Sequence, residues 1–417
     1  MISVSGELNG KVSKFTFENV KDITLLSFGS FGLCFMLSVY IVKISRIFVE
    51  NNFALSVGIP TLFSEVLFLV IFAPFFAYMY GITRTKIGRR TPYLLTFGVL
   101  SSFFMALVEK IGVKSLFEAT LSVLLLNFAL FSYTLAFVGL LKDKSTYYVK
   151  DILIFQVRLW GFIGTFLGFT YLIKYNYTGN EMIVASFVFI ISVIVVSLFV
   201  VEDKKYKVKM LKSEKPESNY RLSMLFRHFV MTKKDVERAL VFSLIAVQET
   251  FIIYFLKDFP FRHSVYALIL FMAGTISYYT IYIFSKKLRD TMTKSWLEIF
   301  SILLVALFYI LFYTLHQYKA INAIVGIQFI VGTLFGIVIE KYLGFVIPGR
   351  CEWFIIYSHL TENDTLKFDV KKLQFLLFSF ILIIAFAVIF DFVGSKNVSL
   401  IYASFLISLL LLRINKT

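Results

Sequence analysis

The sequence predicts an all-α polytopic membrane protein with twelve transmembrane helices in two six-helix halves. Three observations lead there. The chain is 59% hydrophobic and only 16% charged, with a mean hydropathy of +0.81, whereas a water-soluble domain carries roughly a quarter charged residues. Its apolar residues gather in runs long enough to cross a bilayer, which takes about 20 residues per helix. Its basic residues collect in alternate connectors between those runs, the pattern that fixes membrane orientation.

Taken in order, the runs cover residues 23–42, 57–80, 93–108, 116–141, 152–173, 182–201, 239–256, 265–284, 296–315, 321–339, 373–392 and 398–412. An even number of spans returns both ends of the chain to one side. With the N-terminus in the cytoplasm, Arg84, Lys86, Arg89, Arg90, Lys142, Lys144, Lys286, Lys287 and Arg413 all fall inside. Few basic residues are left outside, so the expected location is the cell membrane, multi-pass, with both termini cytoplasmic.

One long charged stretch divides the spans six and six. The expected organisation is therefore a first half over 1–201, a basic cytoplasmic linker over 202–237 and a second half over 238–417. The basic connector after the second span is echoed after the eighth by Lys286, Lys287 and Arg289, which suggests duplicated halves with a substrate site between them. A second irregular loop, 341–372, holds Pro348, Gly349 and the aromatic pair Trp353 and Phe354.

The net charge of +16 raises nucleic acid as a partner, but the basic residues lie beside apolar spans. Topology and attraction to anionic lipid account for them, and no nucleic-acid partner is expected. The two cysteines, Cys34 in a span and Cys351 in a loop, are expected to be unbridged and to bind no metal. The four histidines lie far apart, and no zinc, dithiol, nucleotide-phosphate or nucleophile-elbow motif is present. No enzyme activity, cofactor or metal is expected, and a monomer suffices.

The most distinctive stretch is the connector Gly81, Ile82, Thr83, Arg84, Thr85, Lys86, Ile87, Gly88, Arg89, Arg90, Thr91, Pro92 and Tyr93, preceded by Ala73 and Pro74 in the second span. It resembles the major facilitator superfamily, and within it the glycoside–pentoside–hexuronide cation symporters. Their second helix contains proline and ends in Asp-x-Thr-Arg-Thr-x-x-Gly-Arg-Arg-x-Pro. Arg158 followed by Gly161, Gly164 and Gly168 resembles that family's fifth helix. The resemblance implies a secondary transporter with a cytoplasmic gate at Gly81, Arg84, Lys86, Gly88, Arg89 and Arg90, its basic groups pairing with the opposing half in the outward-facing state; the alternative is a topogenic anchor with no moving role. The motif's acidic residue falls at Gly81, and the position acidic in sodium-coupled melibiose carriers falls at Ala77. The resemblance therefore implies no sodium coupling of that type.

Ionisable residues within spans are costly and mark function or helix pairing. Glu65, Arg158 and Glu249 qualify. Glu249, near the middle of its run, is expected to bind a proton or a substrate hydroxyl, and Arg158 an anionic or hydroxyl-rich substrate. The structural alternative is an ion pair between Arg158 and either glutamate, and Glu65 reads as structural. Gln248, Asn127 and Tyr278 are expected beside them, with Gln156, Gln328 and Tyr279 as further cavity candidates. With 50 Phe and 23 Tyr in the chain, aromatic clusters alone say little. Gly161, Gly164 and Gly168 are expected to allow close helix packing. The expected function is transport of a small polar solute, a sugar or glycoside first, by alternating access, with a proton as the candidate coupling ion. The alternatives are a lipid-linked oligosaccharide flippase and a sensor derived from a transporter.

Overall fold

A computed structural model describes residues 17–83, 85, 87–111, 115–144, 150–175, 179–200, 231–284, 295–343 and 370–414. Most of the expected linker, the basic echo after the eighth span and most of the second irregular loop lie outside them. The helices are α1 (Phe17–Glu50), α2 (Leu55–Leu62), α3 (Ser64–Ile82), α4 (Thr91–Ile111), α5 (Leu116–Lys144), α6 (Lys150–Tyr175) and α7 (Glu181–Phe199). Then follow α8 (Lys233–Phe255), α9 (Phe261–Phe284), α10 (Ser295–Gln317), α11 (Ile321–Leu343), α12 (Val370–Val393) and α13 (Val398–Ile414).

Among the described residues, ten helices are long and apolar enough to cross a membrane, and the bent pair α2–α3 makes an eleventh crossing. The shorter apolar helix α13 follows as the last element. Large apolar side chains stand on the outside of the bundle, among them Phe187 and Leu198 on α7 and Trp296 and Leu307 on α10. That is the surface a lipid-facing protein presents.

The packing of the first bundle repeats in the second. Helix α1 packs on α6 and α7, as α8 packs on α12 and α13. The pairs α4–α5, α4–α7 and α3–α5 recur as α10–α11, α10–α13 and α9–α11. The bundles meet along α1–α8, along α6–α9, and where α2 and α3 meet α12.

Close crossings rest on glycine. A Cβ on Gly164 would sit 2.3 Å from the Phe31 carbonyl oxygen, and one on Gly168 would collide with the Ser38 hydroxyl, so α6 lies backbone to backbone on α1. In the second bundle Gly274 and Gly332 play the same part for α9 and α11. There Thr275 Oγ1 donates to the Gly332 carbonyl at 3.0 Å and Thr333 Oγ1 to the Gly274 carbonyl at 3.2 Å.

The second span, expected as one helix over 57–80, is broken at Phe63, where α2 and α3 bend by 51°. Pro60 lies within α2 and supplies no backbone donor. In a membrane the carbonyls freed at such a break need partners, and Asn127 of α5 provides them. Its Nδ2 donates to the carbonyls of Thr61 at 2.8 Å and Leu62 at 3.1 Å. Helix α8 reaches back to Lys233, inside the stretch expected as linker, because Thr232 and Asp235 form a reciprocal capping box. Cys34 is disulfide-bonded, contrary to expectation, and its partner lies outside the described residues.

Candidate functional site

The place to look for function is the seam between the two bundles. Three ties cross it at the end opposite the basic turn. Ser45 of α1 and Thr250 of α8 meet hydroxyl to hydroxyl at 3.1 Å, both buried. Arg46 of α1 lies over the Phe261 ring at the start of α9, 4.3 Å from its centroid. Asp391 of α12 accepts from the amides of Leu55 at 2.6 Å and Ser56 at 2.7 Å, capping α2 from the other bundle.

Toward the basic-turn end, Arg158 of α6 lies within electrostatic range of Tyr279 of α9, across the same seam. Glu249 is 8% exposed and adjoins Thr250 on the helix that meets α1. Counting 1.5 Å of rise per residue, Arg158 stands about 12 Å up α6 from the basic-turn end, and Glu249 about 24 Å up α8. The two charged side chains thus sit at separate depths along the seam. Glu249 lies past the middle of α8, because the helix begins earlier than the run 239–256 suggested.

Other expected site residues have different work. Asn127 is wholly buried, accepts from Tyr40 OH at 2.6 Å and gives its amide to Thr61, Leu62 and Ser64. It clamps the α2–α3 break rather than lining a cavity. Gln248 accepts from Tyr309 OH at 2.7 Å, and Tyr309 stacks on Tyr402, so its oxygen is turned into the second bundle. Tyr278 is also turned inward, its ring over Gly336 of α11. Its neighbour Tyr279 is the tyrosine within electrostatic range of Arg158. Glu65 is buried in the first turn of α3, and Gln328 is buried on α11. Gln156 is half-buried on α6.

The basic turn is a tight structure. Thr85 and Gly88 form a two-residue bridge, N–H to carbonyl both ways, with φ of +129° at Gly88. That φ lies where side chains are strained, so glycine is required there. Gly81 lies in the last turn of α3, and Arg84 and Lys86 lie outside the described residues. Arg89 and Arg90 each donate to Asp143 Oδ2 at 2.8 Å. Asp143 lies at the end of α5 in the same bundle, so in the conformation observed the two arginines share a carboxylate of their own half. Arg90 reaches Asp143 over Gly139, where a Cβ would fall 1.5 Å from its guanidinium Nη1.

Sequence reasoning missed Asp143, Gly139 and Asp391. Asp391 stood inside the run 373–392 and offered a signal: an acid at the edge of a span. Glu109 and Glu181 stood at span edges in the same way.

No protein-family model and no curated protein matches the sequence. Solved structures do. The nucleoside transporter NupG matches at 16% identity over 96% of this chain and 99% of its own, with a TM-score of 0.59. A variant of the same transporter matches at 15% identity, covering 95% and 99%, with a TM-score of 0.61. A D-xylose-proton symporter matches at 13% identity over 94% of this chain and 96% of its own, with a TM-score of 0.61. At such identities the likeness concerns the fold. The chain is a multi-pass membrane protein with the fold of the major facilitator superfamily.

Proposed function

We propose that this chain is a secondary transporter that moves a small polar solute by alternating access. The observation that carries the proposal is the seam: two bundles with repeated packing, tied together at the end opposite the basic turn. Such a seam can close at one end while it opens at the other, which is what transport around a fixed site requires.

The halves are assigned to 1–201 and 238–417, with 202–237 as the cytoplasmic linker. The positive-inside rule puts the basic turn and both termini in the cytoplasm of a cell membrane, so the closed end faces outward. Arg158 and Tyr279 lie on opposite walls of the seam and offer a cation and a hydroxyl to a hydroxyl-rich solute, for which a sugar or glycoside is the first candidate. Glu249 carries the coupling proton. The turn at Gly88, with Arg89 and Arg90 on Asp143, forms the cytoplasmic gate.

The test is uptake of labelled sugars, glycosides and nucleosides into proteoliposomes, with and without an inward proton gradient. Gradient-driven accumulation of one solute supports the proposal, and its loss in Glu249→Gln, with exchange spared, supports the role of Glu249. Gradient-independent uptake would keep transport and remove the proton. Absence of uptake across the panel would overturn the sugar assignment.

A further inference from the structure

The first bundle holds a buried charge cluster away from the seam, at the end opposite the basic turn. Lys43 of α1 stands between two carboxylates, 3.1 Å from Glu181 Oε2 and 3.9 Å from Glu109 Oε1. Glu181 opens α7 with its side chain wholly buried, and the Glu109 side chain near the end of α4 is 6% exposed. Asn180, the residue before α7, makes no side-chain cap. Glu109 fills that role from α4, its Oε2 accepting from the Ile183 amide at 2.9 Å.

Each carboxyl is left with one oxygen, Oε1, that is buried and has no hydrogen-bond partner among the described residues. The two carboxyl groups lie within hydrogen-bond reach of each other. Two ionised carboxylates so placed repel, and neither has a proton to offer the other. Lys43 supplies one positive charge and the N-terminus of α7 about half of another, short of the two negative charges present. Among the described residues, the other ion pairs found at this end do not include either carboxylate. Arg46 and Glu50 pair with each other on α1, while Glu118 on α5 and Lys174 on α6 are exposed.

We propose that Glu109 and Glu181 form a proton-binding site in which one proton bridges their Oε1 atoms and Lys43 balances the remaining negative charge. Loading forms one O–H bond with a proton from water and needs no other reactant. Because the three residues come from α1, α4 and α7, the packing of these helices responds to pH at that face. The site is separate from Glu249 and does not depend on the transport reading.

Infrared difference spectra of the reconstituted protein between acidic and alkaline pH test it. The expected result is a protonated-carboxyl C=O band that disappears on alkalinisation. It is lost in Glu109→Gln and in Glu181→Gln, where the remaining carboxylate has Lys43 to itself, and is kept in Glu249→Gln. Lys43→Met, which leaves both carboxyls in place, raises the pH at which the band disappears. A band untouched by both glutamine variants, or an unchanged midpoint in Lys43→Met, would overturn the proposal.

Discussion

The carboxylate of Asp391 caps a helix of the other bundle, its Oδ1 2.6 Å from the amide nitrogen of Leu55. These residues are 336 positions apart in the chain, yet together they hold one end of the seam closed. Asp391→Ala removes the acceptor for the Leu55 and Ser56 amides, a loss of about 1–2 kcal/mol for an N-terminal cap. Amide hydrogen exchange in α2 is expected to quicken by roughly 5–30-fold while exchange in α5 stays unchanged.

Asn127 holds the broken span in shape. Asn127→Leu removes the amide that donates to the Thr61 and Leu62 carbonyls, at a cost of about 1 kcal/mol for each buried hydrogen bond lost. A clear drop in the unfolding temperature of the purified protein is expected, with solute affinity of the folded fraction unchanged. Reduced affinity at wild-type stability would return Asn127 to the binding site.

Gly139 leaves room for Arg90. Gly139→Leu fills the space its guanidinium occupies and separates Arg90 from Asp143, whereas Asp143→Asn removes the charge and keeps the space. Both are expected to slow transport to a similar degree, read as initial uptake rates in proteoliposomes. An effect confined to Gly139→Leu would assign the site to packing and not to the charge pair.

The reciprocal threonine bonds at the α9–α11 crossing depend on backbone contact. Gly332→Val forces the helices apart and breaks the bond from Thr275 Oγ1, costing about 1–3 kcal/mol by overpacking. Thr275→Val keeps the volume and loses the hydroxyl alone, and is expected to cost about 1 kcal/mol. Chemical unfolding of the two variants compares these terms.

The spans were legible because a helix in lipid needs a long apolar run, and 23–42, 116–141 and 321–339 are such runs read directly. Gly164 and Gly168 were legible for a related reason: small residues spaced along one helix mark where another helix comes close. The break at Phe63 was less so. Pro60 signals a bend, but its repair comes from Asn127, far along the chain, and no local pattern ties the two. Site residues suffered most from this. Glu249 and Arg158 were found because charge in a span is conspicuous. Gln248, Asn127 and Tyr278 looked like cavity groups because polarity within a span does not say which way a side chain turns. Tyr278 and Tyr279 are adjacent, so a helix turn of about 100° sends one to Gly336 and the other to Arg158. Asp143 and Asp391 escaped notice because acids at span ends are ordinary in sequence, and only the folded chain shows what they cap.

The central claim is that the two bundles must part at one end for transport. Ser45 and Thr250 place their hydroxyl oxygens 3.1 Å apart across the seam, close enough for a disulfide between cysteines at both positions. The measurement is uptake by the Ser45→Cys, Thr250→Cys double variant, with Cys34 and Cys351 replaced by alanine, before and after oxidation. The account predicts uptake in the reduced protein, none once the pair is cross-linked, and recovery on reduction. Undiminished uptake by the cross-linked protein would contradict it.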